Sequence, residues 1–175
     1  MTTGEPASAT QRKGSPRSEL CVVVACHTFA CAIPVRYVER LALDEDVKAV
    51  PGRSAVVESN GERFAAANLG TLLGTPQLGQ AWVLLRVPVA NGVVPIALRT
   101  GPCLMVRQVA IEAPLLPGLF ERRGAAVLGA FTAGTQRGFA EQIAYGLVLA
   151  LHQLWEPREL EHLRKLVSSE GRVND

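Results

Sequence analysis

Two Asn-Gly dipeptides, Asn60-Gly61 and Asn91-Gly92, each sit between short apolar runs, and they constrain this chain more than any other feature. Both residues of such a pair tolerate the positive φ that a two-residue hairpin turn requires, so each pair marks a β-hairpin. The first joins the run 55–58 to the run 63–67, and the second joins 81–90 to 93–98. Pro88 and Pro95 lie inside the second pair of strands and remove ladder donors, which predicts edges or bulges there.

Around these hairpins the remaining elements follow in order. Residues 21–26 form a β-rich apolar run, His27-Thr28 a break, and 29–35 a second run. In 36–41, Tyr37, Val38 and Leu41 fall at helical spacing, which predicts a short helix with one apolar face. The acidic Asp44-Glu45-Asp46 precedes a stop at Pro51-Gly52. Asn68 is placed to N-cap a helix over 69–73, with Gly74 ending it. A partly exposed strand is expected over 104–111, a Pro-rich connection over 112–124, a strand over 125–131, a loop over 132–137 and a last core strand over 145–151. Residues 153–167 predict a terminal helix with a restart at Pro157. Its apolar positions Leu154, Leu160, Leu163, Leu166 and Val167 are expected to pack on the chain's own body.

The expected division is a disordered tail over 1–18, a domain over 19–155 and a helical extension over 156–175. With 48% hydrophobic residues, 16 Gly and 11 Pro, the fold class expected is mainly β and turn-rich, not a helical bundle. Five Phe, two Tyr and two Trp leave the core to Val, Leu, Ala and Ile. The tail's Arg12, Lys13 and Arg17 against Glu5 account for the whole net charge of +2. The folded part is neutral, which argues against nucleic acid as a partner. The tail lacks the apolar segment of a secretory signal, and no run approaches the length of a membrane span, so a cytoplasmic protein without direct membrane insertion is expected.

The residues offer no catalytic constellation, and neither an enzyme nor a cofactor is expected. The segment 70–74 has Gly at both ends but lacks the Lys-Ser/Thr of a phosphate loop. His27, His152 and His162 fall on a turn, a strand end and a helix. Cys21, Cys26 and Cys31 are five apart, a spacing that alternates strand faces and matches no short zinc motif. They read as small buried hydrophobes, and a Cys26-His27 nucleophile-base pair is the competing reading.

The order of elements resembles the CheW-like domain, the coupling module of bacterial chemosensory arrays. The residues that carry the resemblance are Ile33-Pro34-Val35, Val38-Glu39-Arg40-Leu41, Val50-Pro51, Val56 to Glu62, Ala65 to Leu69 and Leu72-Leu73-Gly74-Thr75-Pro76, with Ile96 to Arg99 in the second half. It implies two small five-stranded Src-homology-like β-barrel subdomains with short helices and a C-terminal helix, packed around a shared core. It also implies a non-catalytic adaptor between receptor cytoplasmic tips and the regulatory domain of a chemosensory histidine kinase. By transfer, the partner-binding residues are Val38, Glu39, Glu58, Asn60, Gly61, Leu98 and Arg99. The chain departs from the family pattern where Asn60 stands for Arg, Ala65 for Pro, Asn68 for Asp, Arg99 for an acid and His152 for Asp. Asn cannot supply the charge or the forked donors of Arg. These departures open a second reading, an adaptor that has exchanged its partner. A homo-oligomeric structural subunit and a thiol sensor at Cys26 also stay open.

Overall fold

The computed structural model describes residues 18–26, 29–75, 79–111, 127–132 and 145–168. The tail expected over 1–18, save Ser18, lies outside them, as do the Pro-rich connection and most of the 132–137 loop. The described residues form β1 (Ser18–Cys26), β2 (Phe29–Pro34), β3 (Val38–Leu43), β4 (Lys48–Val50), β5 (Arg53–Ser59), β6 (Glu62–Asn68), α1 (Leu69–Leu73), β7 (Ala81–Val89), β8 (Gly92–Thr100), β9 (Cys103–Ala110), β10 (Val127–Thr132), β11 (Tyr145–Leu149) and α2 (Pro157–Ser168).

The strands make two sheets, ordered β10-β11-β2-β1-β9 and β3-β7-β8-β6-β5-β4. Both Asn-Gly hairpins form where the sequence puts them: Ser59 pairs with Glu62 and Val89 with Gly92. Asn60 and Gly61 both take positive φ, at 54° and 78°. Asn68 Oδ1 accepts from the Thr71 N–H at 3.0 Å, and Gly74 ends α1 in the left-handed conformation. Two parallel pairings, β6 with β8 and β11 with β2, complete the sheets.

The central strands alternate their side chains between two apolar layers. In the first sheet Val22, Val24, Cys26, Cys31 and Ile33 face one way. Cys21, Val23, Ala30 and Ala32 face the other, together with Phe131, Val148 and Val109. In the second sheet Val83, Leu85, Val87, Ile96 and Leu98 join the layer of Val22 and Ile33, while Phe64, Leu84, Ala97, Val57 and Ala42 form a separate one. One core is therefore shared between the sheets, and each sheet wraps a smaller interior of its own. An arginine ties distant strands of the sheet together in each subdomain. Arg107 donates to the Thr132 carbonyl, linking β9 to β10, and Arg40 Nη2 donates to Ser59 Oγ at 2.8 Å, linking β3 to β5. The result is two barrel-like subdomains on a common core.

Several expectations are corrected. Residues 36–41 are not a helix: a single 3-10 turn over Val35–Tyr37 leads straight into β3, which pairs with β7. Strand pairing satisfies backbone groups that a one-turn helix would leave open. Val38 pairs with Leu85 and Arg40 with Leu84, so Glu39 is the extra residue of a β-bulge. The second sheet has six strands instead of five because Lys48–Val50 adds a short edge strand. Pro88 and Pro95 lie in central strands. Pro88 lies three residues past Leu85, the limit of the β3 pairing, and Pro95 one residue before Ile96, where the β6 pairing starts. Neither proline leaves a broken ladder on that flank. The last core strand stops at Leu149, and Leu151–Gln153 forms a 3-10 turn. The terminal helix starts at Pro157, and Leu160 and Leu163 pack into the shared core.

Candidate functional site

The positions singled out by resemblance fall into a cluster at one mouth of the second barrel, one buried position and one separate cluster. At the first mouth Arg86, on β7, donates from Nε to Glu39 Oε2 at 2.7 Å and also pairs with Glu62. Glu62 follows the Asn60-Gly61 turn directly, so one guanidinium binds the bulge to the hairpin end. Ser59 Oγ, which accepts from Arg40, donates to the Asp46 carbonyl at 2.7 Å. Val38, Glu39, Glu58, Asn60 and Gly61 are thus brought to one end of the barrel. Val38 is half-buried against the shared core, whereas Glu39, Asn60 and Gly61 are exposed. Glu58 stands opposite Lys48 on β4 and Arg63 on β6, both favourable cross-strand pairs.

Leu98 is fully buried in the shared core, and its side chain is not available to a partner. Arg99, its neighbour, points to the other face. It lies over the Trp82 ring at 5.5 Å, and its Nη2 reaches Asp44 Oδ2 at 3.1 Å. Trp82 Nε1 donates to Asp44 Oδ1 at 2.6 Å. This cluster lies four residues along the β7–β8 ladder from Arg86, about 13 Å by strand rise. It closes the opposite mouth.

Two residues that do not stand out in the sequence, Leu41 and Leu43, are prominent in the structure. Once Glu39 is bulged, Arg40 and Ala42 turn into the barrel and the two leucines turn out, 44% and 56% exposed. They border a groove of about 500 Å³ between edge strand β3 and the start of β9. Ala81, Trp82 and Val83 line it from β7, and Val24, Pro102 and Cys103 from the other subdomain. The signal was present as a period-two alternation over 40–43, but the helical spacing of 37, 38 and 41 competed with it. Arg86 was also legible, as the one charge within the apolar run 81–90.

Cys21, Cys26 and Cys31 are buried, as their sequence context predicts, whereas Cys103 is exposed. Among the described residues no group of three or more His, Cys, Asp or Glu could hold a metal. Burial, with the Glu19 carboxylate adding to it and Arg36 partly offsetting it, pushes the Cys21 thiol up to about 11 from 9.0. A folded-state pKa above the unfolded one means that this contribution to stability is complete below pH 9 and is lost as pH rises towards 11. The stability of the wild type is therefore expected to fall more steeply over that interval than that of Cys21→Ala, measured by urea denaturation at each pH. Parallel slopes would contradict the assignment.

No protein-family model and no curated protein matches the sequence. Among solved structures, the chain is similar to the crystal structure of the scaffolding protein TtCheW from Thermoanaerobacter tengcongensis. The TM-score is 0.55 at 15% identity, over 83% of this chain and 93% of that one. The chain therefore has a CheW-like fold across both subdomains. No helix among the described residues is long and apolar enough to cross a membrane.

Proposed function

We propose that this protein is a non-catalytic adaptor in a bacterial chemosensory system, working in the cytoplasm and coupling receptor signalling tips to a histidine kinase through protein contacts. The observation that carries this reading is the CheW-like fold over nearly the whole length of a scaffolding protein. The chemistry of the surface supports it, because the candidate site holds an apolar groove and ion-paired barrel ends without a catalytic group. The groove beside Leu41 and Leu43 suits the apolar face of a receptor helix, whose leucine-sized side chains would meet Leu41, Leu43 and Ala81. The mouth formed by Glu39, Arg86, Glu62 and the Glu58 to Gly61 turn is rigid and charged, and suits the kinase regulatory domain. Asn60 there is held at positive φ and presents no cation, and Arg86 beside it is already engaged by Glu39 and Glu62, so a kinase contact here would differ from one made by an arginine at the turn.

Calorimetric titration of the full chain with a receptor signalling tip, and separately with a kinase regulatory domain, tests the proposal. Affinities in the micromolar range are expected. Leu43→Asp should weaken the receptor tip at least tenfold, since a carboxylate would be buried without a partner, and should leave the kinase domain unaffected. A folded protein that binds neither partner overturns the coupling role and favours the reading in which the partner has been exchanged.

A further inference from the structure

A second pocket, of about 570 Å³, opens where α2 packs beside the end of β6 and α1. Its size falls within the range of small-molecule sites, roughly 300–1,000 Å³. The floor is apolar. Ala66 and Ala67 bring only methyl groups from β6, which leaves space between strand and helix, and Leu72, Trp155 and Leu163 wall it. From α2 the side chains come in two rows. Glu159 and Leu163, four residues apart, are half-buried and form the inner row, whereas Arg158 and His162, also four apart, are exposed and form the outer one. Asn68 and Thr71 add polar groups from the end of β6 and from α1.

The polar groups around this floor are mostly donors, and they have no partner in the described chain. Asn68 gives its Oδ1 to the Thr71 N–H, which leaves the two N–H bonds of Nδ2 unused. Among the described residues neither the Thr71 hydroxyl, the Arg158 guanidinium nor the His162 ring makes a hydrogen bond or an ion pair. Other exposed arginines do find acids: Arg36, Arg86 and Arg99 each hold a carboxylate. The one acid of the lining, Glu159, is committed elsewhere, since its Oε2 accepts from the Glu156 N–H at 2.7 Å and closes the start of α2.

We propose that this pocket binds a small organic carboxylate, with its apolar body on the floor of Ala67, Leu72, Trp155 and Leu163 and its carboxylate held at the rim by Arg158 and His162. Burial of the apolar body supplies most of the binding, because a guanidinium at an exposed rim is screened by water. The Arg158 fork donates two parallel N–H bonds to the carboxylate oxygens, and a ring N–H of His162 adds a third. Asn68 Nδ2 and Thr71 Oγ1 are left for a carbonyl or hydroxyl oxygen elsewhere on the ligand. An anion without an apolar body would find only the rim. The pocket shares no residue with the groove beside β3 and is independent of the adaptor role.

The test is to titrate naphthylacetate, and separately its neutral counterpart naphthylacetamide, into the isotopically labelled full-length chain and follow amide and indole NMR signals. The two tryptophans report separately, Trp155 from this pocket and Trp82 from the groove beside β3. Saturable shifts of the Trp155 indole and the Thr71 amide are expected at millimolar naphthylacetate or below, with Trp82 unmoved. The amide should bind about tenfold more weakly, for want of the charge-assisted hydrogen bonds. Arg158→Gln should remove that difference and leave the affinity for the amide as it was. The variant should fold, since the side chain is exposed and holds no partner. Equal affinities of acid and amide for the wild type would overturn the carboxylate assignment. Saturation at Trp82 in place of Trp155, or no saturable shift of Trp155 up to the solubility limit of naphthylacetate, would overturn the site itself.

Discussion

Phe64→Ala is expected to destabilise the protein by about 3–5 kcal/mol, the range for truncating a fully buried aromatic ring. Phe64 is fully buried and is the largest member of the second barrel's interior, where its buried neighbours are Ala42, Val57, Leu84 and Ala97. Two of those four are alanines, and an alanine cannot reach into the space a ring vacates. The central strands β5, β7 and β8 around it are held in register on both sides, so the cavity persists instead of collapsing. One mouth of this interior is covered by Arg86, whose guanidinium lies 5.7 Å from the Phe64 ring while it holds Glu39 and Glu62. Loss of the ring removes the support under that ion-pair cluster, and the bulge at Glu39 should loosen with it. Phe64→Leu, which keeps most of the volume, should recover more than half of the loss. Urea midpoints at constant m would measure both. A cost for Phe64→Ala of less than about 1 kcal/mol would mean that the interior is not packed as described.

The second large effect concerns the other barrel. Gly146 lies directly opposite Phe131 in the β10–β11 pair, and the ring lies over the glycine backbone. A Cβ at position 146 would overlap two atoms of that ring far inside van der Waals contact. The ring cannot simply lift, because the Arg107 guanidinium covers it at 5.4 Å and also holds the Thr132 carbonyl across the β9–β10 gap. Gly146→Ala is therefore expected to cost about 3 kcal/mol, at the upper end for overpacking, since it strains the core and disturbs the link between the sheet edges together. A smaller residue at 131 should relieve the clash. Phe131→Leu in the Gly146→Ala background should be less damaging than the sum of the two single changes, the coupling expected of residues in contact. Strict additivity would refute the account.

The exposed leucines and the buried cysteines have a common structural origin. Each depends on a local feature that reads one way along the chain and another way in space. The bulge at Glu39 reverses which of Arg40 and Leu41 faces inward, and with it the chemistry of an edge strand. The hairpin between β1 and β2 sets two cysteines diagonally on one face and puts a third, five residues away, on the other. The candidate site was legible only in part. The resemblance pointed to Glu39 and the 58–61 turn, and Arg86, far along the chain from either, joins Glu39 to Glu62, the residue after that turn. Leu98 is a core residue for a plain reason: Ala97 and Leu98 are neighbours on one strand, and the two layers on either side of β8 are both apolar.

Elements whose conformation is local were set by their own neighbouring residues. Asn60-Gly61 and Asn91-Gly92 marked tight turns: both residues of the first pair take positive φ, and of the second pair Gly92 does. Asn68 and Gly74 bracketed α1 because one supplies a cap acceptor and the other a left-handed residue. Pairings between distant segments arose only in the folded chain: β6 beside β8, β11 beside β2, and β3 as a strand on the edge of β7. A stretch such as 36–43 has comparable local preference for helix and strand, differing by less than the free energy of a few buried side chains. Its state was therefore set by the edge of β7 that was waiting for a partner, which no window of neighbouring residues contains.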